Sequence, residues 1–104
     1  MPRVQICTVA DLEDNTMRRL VLNGQEILLA KVSDRYFAVS ERCTHRGGPL
    51  SEGKLAGLSV TCPLHFGEFN IQTGEATSPP AADPLRTYNV SVEAGEVYVD
   101  LPDH

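Results

Sequence analysis

The chain has no apolar run approaching the roughly 18 residues that cross a bilayer. Its first residues, Met1-Pro2-Arg3-Val4-Gln5, carry no apolar h-region. Both absences speak against a membrane anchor or a secretory leader, and the expected location is cytoplasmic. Basic residues are also scarce, with 9 Lys and Arg against 14 Asp and Glu, for a net charge of -5. That balance disfavours nucleic acid and anionic membranes as partners. It fits plain solubility, or contact with basic patches on other proteins. There is no repeat, low-complexity tract, nucleotide-binding glycine fingerprint, flavin motif or mononuclear 2-His-1-carboxylate iron site. Substrate turnover is therefore not expected. The 104 residues make one domain, 1–104, with a modest core.

Cysteine is sparse and odd in number. Cys7 lies in the alternating stretch Val4-Gln5-Ile6-Cys7-Thr8-Val9 and is expected to be a small buried residue. The other two stand in a pair of Gly/Pro-rich segments, Cys43-Thr44-His45-Arg46-Gly47-Gly48-Pro49 and Cys62-Pro63-Leu64-His65-Phe66-Gly67. Two of the three histidines fall there as well, leaving only His104 at the terminus. A Cys43–Cys62 disulfide would be unusual in a reducing cytoplasm and would leave the paired histidines unexplained.

The rest of the chain reads as short strands and turns. Residues 4–9 alternate as a first strand. Residues 10–16 are polar and acidic and support no long helix. Residues 19–22 and 25–32 flank Asn23-Gly24, a type I′ hairpin signal because both residues tolerate positive φ. Ser33-Asp34-Arg35 turns into a strand over 36–39. Residues 53–57 look like a hairpin tip, 58–61 a strand leading to Cys62, and 67–71 a strand leaving the second segment. Residues 77–84 read as a proline-stiffened connector. Residues 85–93 and 96–101 form a last hairpin about Ala94-Gly95, with Val90, Val92, Val97 and Val99 at period-two positions on one buried face. The fold class is all-β.

Two thiolates and two neutral imidazoles make a four-ligand set for a borderline or soft metal. Zinc would take Cys43, His45, Cys62 and His65 as a closed tetrahedral site. Common zinc modules pair like with like, however, and each segment here is mixed. A mixed pair from each segment suits a binuclear cluster, with both cysteines on one iron and both histidines on the other.

The spacing Cys43-x-His45, sixteen residues, Cys62-x-x-His65 resembles the ligand pattern of Rieske [2Fe–2S] proteins, in which two His replace two Cys on one iron. The likeness extends through 40–51, 62–65, Gly67-Glu68-Phe69 and Thr73-Gly74…Ser78-Pro79-Pro80. These stretches are similar to the small Rieske ferredoxins of bacterial aromatic-ring dioxygenase systems. The resemblance implies one [2Fe–2S] cluster per chain, held by Cys43 and Cys62 through sulfur and by His45 and His65 through one ring nitrogen each. It implies a Rieske-type fold of three stacked antiparallel sheets, with a cluster-binding subdomain at about 40–72. It also implies a monomeric one-electron carrier, fed by a flavin-dependent ferredoxin reductase and discharged by a terminal Rieske oxygenase. The alternatives are the Rieske-like small subunit of an assimilatory nitrite reductase and a zinc-stabilised binding module.

The departures matter too. High-potential Rieske proteins join their two loops by an extra disulfide and place Ser and Tyr hydroxyls near the cluster sulfurs. The corresponding positions here are Gly48 and Leu64, then Gly67 and Phe69. Two lost charge-assisted hydrogen bonds, at about 1.5–3 kcal/mol each, lower the expected potential on the order of 100–250 mV. Exposed ring nitrogens on His45 and His65 imply a potential that falls at alkaline pH. Leu64 and Phe66 are read as a shield or docking rim, or as packing inside the loop, and Arg46 as a contact for an acidic partner or a solvated surface residue.

Overall fold

The computed structural model describes residues 3–42, 48–63, 67–78 and 83–101. Eleven strands and one 3-10 turn, Leu50–Glu52, make up its regular elements among these residues. The strands are β1 (Arg3–Thr8), β2 (Thr16–Leu22), β3 (Gln25–Val32), β4 (Arg35–Ser40), β5 (Lys54–Ala56), β6 (Ser59–Thr61), β7 (Glu68–Asn70), β8 (Ala76–Ser78), β9 (Thr87–Tyr88), β10 (Val90–Glu93) and β11 (Glu96–Asp100). They form three antiparallel sheets, in the orders β1-β11-β10, β2-β3-β4-β9 and β5-β6-β7-β8.

β3 explains the stacking. Its run Ile27-Leu28-Leu29-Ala30 is buried without alternation, the pattern of a strand covered on both faces. Leu28, Ala30 and Val32 join one core with Val39, Leu50, Val60, Cys62, Phe69, Ile71 and Leu85. Ile27 and Leu29 point the other way, into a core with Cys7, Leu12, Ala38, Val97, Val99 and Leu101. The sheet of β2, β3, β4 and β9 is thus the middle layer, and the other two sheets cover its faces.

The turns follow local chemistry. Leu22 pairs with Gln25 across Asn23-Gly24, and Val32 with Arg35 across Ser33-Asp34. Asn23, Ser33 and Asp34 all take φ between +51° and +63°, as primed hairpin turns require. Cys7 is buried as expected, and burial pushes its thiol pKa up.

Four expectations are corrected. The stretch 53–57 is not a hairpin tip, because Lys54–Ala56 is strand β5 and the chain reverses at Gly57-Leu58, between paired Ala56 and Ser59. The connector begins later than expected, since Ala76–Ser78 pairs with β7 as strand β8. The arm 85–93 is not one strand. Thr87–Tyr88 joins β4 in the middle sheet, whereas Val90–Glu93 joins β11 in another, so the chain crosses between layers at Asn89. Val92 is 46% exposed although its partner Val97 is fully buried. β10 is an edge strand, and the core does not reach its outer end.

Candidate metal centre

Both Cys/His segments spring from places where the chain is pinched. At the first, Glu41 accepts the Leu50 N–H on its carbonyl at 2.9 Å. Arg42 and Pro49 form an antiparallel bridge. The described flanks Arg42 and Pro49 therefore lie side by side beyond β4. At the second, the Cys62 N–H donates to the Gly67 carbonyl at 2.8 Å, closing the segment between β6 and β7.

The two pinches are pressed together. The 3-10 turn Leu50–Glu52 ends in a Gly53 N–H bond to Leu50 O at 2.9 Å, and Gly53 then runs directly over the Thr61 carbonyl. A Cβ at residue 53 would overlap that oxygen, so only glycine lets the return arm of the first segment lie against the strand that delivers Cys62. Next to this contact, Glu52, Gly53, Lys54, Thr61, Cys62 and Pro63 line a cleft of about 200 Å³.

Of the four expected ligands, Cys62 is described. It is 1% exposed and packed in the core that includes Leu50, Val60 and Phe69. Cys43, His45 and His65 lie outside the described residues, as do Arg46, Leu64 and Phe66. Gly48 and Gly67 are buried, and so is Phe69. No side-chain hydroxyl stands at 67 or 69. A buried thiol at the mouth of one pinched segment, against the return arm of the other, suits a thiolate donor to an iron–sulfur cluster.

A network around the first pinch was not foreseen from the sequence. Glu41 is fully buried. Its carboxylate accepts the Ser51 N–H at 3.0 Å and the Ser51 hydroxyl at 2.6 Å. Glu26, at the start of β3, receives Arg19 at 2.7 Å and Arg42 at 3.0 Å. The Arg42 and Arg19 guanidinium groups hold the Glu26 carboxyl down to about 2. Nothing local marks Glu41 as buried. It follows the apolar phase of β4 as an ordinary charged residue would, and its partner is ten positions away.

Comparison with known proteins bears on the family and the fold. Residues 3–89 match the family model described as the Rieske [2Fe-2S] domain. The 3-phenylpropionate/cinnamic acid dioxygenase ferredoxin subunit of Escherichia coli (strain K12) is 39% identical over 99% of this chain and 97% of its own length. The ferredoxin of carbazole 1,9a-dioxygenase from Nocardioides aromaticivorans IC177 superposes with a TM-score of 0.92 at 30% identity, covering 95% of this chain and 97% of that one. A chain from the complex of reduced oxygenase and oxidized ferredoxin in carbazole 1,9a-dioxygenase gives a TM-score of 0.90 at 38% identity, over 93% of this chain and 91% of its own.

Proposed function

The chain belongs to the Rieske [2Fe–2S] domain family, and from that premise we propose that it is the ferredoxin component of an aromatic-ring dioxygenase system. It carries electrons and is not itself the catalyst. In this reading Cys43 and Cys62 hold one iron through sulfur, and His45 and His65 hold the other through one ring nitrogen each. The bound [2Fe–2S] cluster supplies a one-electron couple. The chain's own residues bind it, keep water from its thiolate side and hold the two segments in a fixed relation. The cluster-binding subdomain runs from about residue 40 to 72.

The observation that carries this reading is the position of Cys62. Its thiol is buried at the end of β6, beside the arm returning from the Cys43 segment. Packing of that kind limits rearrangement around a ligand between redox states. The partners proposed are a flavin-dependent reductase as donor and a terminal Rieske oxygenase as acceptor. The names of its relatives support the dioxygenase setting. We read the protein as a cytoplasmic monomer. No helix among the described residues is long and apolar enough to cross a membrane.

The test is iron and sulfide analysis of purified protein, with its visible spectrum and low-temperature EPR after reduction. Two irons per chain and the EPR signal of a His-ligated [2Fe–2S] centre are expected, and Cys62→Ser and His65→Ala should each abolish both. A colourless protein containing zinc would overturn the reading.

A further inference from the structure

Glu41 is the one fully buried charged side chain among the described residues, and holding metal gives it no role. We propose that it is a positioning residue: a carboxylate staple that ties together the two ends of the 43–47 segment and so sets the aim of Cys43 and His45. This rests on the ligand reading above.

Four bonds define the staple. The Glu41 N–H donates to the Glu26 carbonyl at 3.2 Å, fixing the residue to β3 in the middle layer. Its carbonyl takes the Leu50 N–H at 2.9 Å. Its carboxylate takes the Ser51 N–H and the Ser51 hydroxyl, at 3.0 and 2.6 Å. Three of the four cross the mouth of the segment, on the inner side of the Arg42–Pro49 bridge. The Arg19 guanidinium stands 3.9 Å from the same carboxylate.

A carboxylate is a costly way to fill a core. An apolar residue of equal volume often does so with no loss of stability, or with a gain. What leucine cannot supply is a pair of directional, charge-assisted bonds to one distant residue. Those bonds land on Ser51, inside the turn that carries the chain to Gly53 and its contact with Thr61. The staple is therefore continuous with the arm that lies beside Cys62. Gly48 stands where the resemblance would put one half of an inter-loop disulfide, so the first segment must draw its restraint from its own flanks.

The test uses the cluster-loaded protein and four variants. Glu41→Leu keeps the volume and removes the carboxylate bonds. Glu41→Gln keeps the shape, with its oxygen accepting from the Ser51 N–H and its amide donating to the Ser51 hydroxyl. Ser51→Ala removes one bond only. Val97→Ala lowers stability from the other core, far from the segment in the packing order. Iron release to a ferrous chelator is followed by bleaching of the visible band, with circular dichroism for stability and EPR line width for ligand geometry.

At matched thermal stability, Glu41→Leu should release iron about tenfold faster than Val97→Ala, the scale of losing charge-assisted hydrogen bonds, and should broaden the EPR signal. Ser51→Ala should fall between the two, and Glu41→Gln should recover most of the wild-type rate and line width. Should Glu41→Leu fail to fold, Ser51→Ala against Val97→Ala decides. Release no faster than in Val97→Ala, or Gln as fast as Leu, overturns the staple while the ligand reading stands. A wild-type protein without the cluster signal overturns both.

Discussion

Gly53 lies directly over the carbonyl of Thr61, with no room between them for a side chain. That contact, continued by the Lys54–Thr61 pair of β5 and β6, joins the return of the Cys43 segment to the strand that leads into Cys62. Gly53→Ala should therefore cost more than an ordinary loop substitution, about 1–3 kcal/mol of overpacking, and should speed cluster loss. Gly74→Ala should be similarly costly, because Gly74 sits at φ +81° and against the Leu85 carbonyl. Gly24→Ala meets open space at φ +79° and should lose only the backbone term, about 1 kcal/mol. Urea unfolding of the three variants gives the ranking.

The two cores differ from the exposed edge in what they tolerate. Val97→Ala, at a fully buried position of β11, should destabilise by about 2–3 kcal/mol. Val92→Thr, at the opposing position of β10 that is 46% exposed, should change stability by less than about 0.5 kcal/mol. Thermal melts under one set of conditions check the contrast.

One turn is open to improvement. Ala94 adopts φ +51° in the last hairpin, followed by Gly95 at +79°. An L-residue with a plain Cβ is strained there, and Asn-Gly is the favoured pair for such a turn. Ala94→Asn should raise stability by about 0.5–1 kcal/mol, read as a higher denaturant midpoint at an unchanged slope.

Acid sensitivity should trace in part to Glu26. Its hydrogen bonds to Arg42 and Arg19 lower its pKa from 4.5 to about 2. A lowered folded-state pKa contributes stability above the unfolded value and loses it as pH falls from about 4.5 through about 2. The group is at the surface, so added salt should weaken the effect. Stopped-flow pH jumps followed by far-UV circular dichroism should show wild-type unfolding accelerating across that window, with Glu26→Gln showing a flatter response and less dependence on salt.

The midpoint potential should lie near the negative end of the Rieske range, about −150 mV. Gly67 and Phe69 bring no hydroxyl to the site, and Phe69 is fully buried in the core opposite Val60 of β6. Protein-film voltammetry measures the value directly, and a midpoint above zero would contradict the reasoning.

Legibility from sequence followed the range of the interactions involved. The primed turn at Asn23-Gly24 was readable because both residues accept positive φ, whereas Ser33-Asp34-Arg35 read only as a turn, with Arg35 already the first residue of β4. Strand β3 was readable as the second arm of the Asn23-Gly24 hairpin. β8 was hidden because residues 76–78 alternate too briefly to register and become a strand only by pairing with β7. The arm 85–93 read as one strand because period two cannot say which sheet a strand joins. Pairing with β4 or β11 is settled across long separations in sequence.

The residue types alone point to the chemistry. Two Cys/His pairs at short, mixed spacing narrow the expected metal centre, and an acidic composition narrows the expected partners. Those are local facts of residue type and spacing. How the flanks of the two segments meet depends on contacts made through the fold. The 3-10 turn after Pro49 brings Gly53 over Thr61, and the buried Glu41 reaches Ser51 across the first segment. Neither contact has a local signature: Gly53 meets Thr61 by continuing the β5–β6 pairing within the small sheet, and Glu41 reaches Ser51 where the end of β4 meets the 3-10 turn. Each depends on which strands pair and pack, which no run of neighbouring residues states.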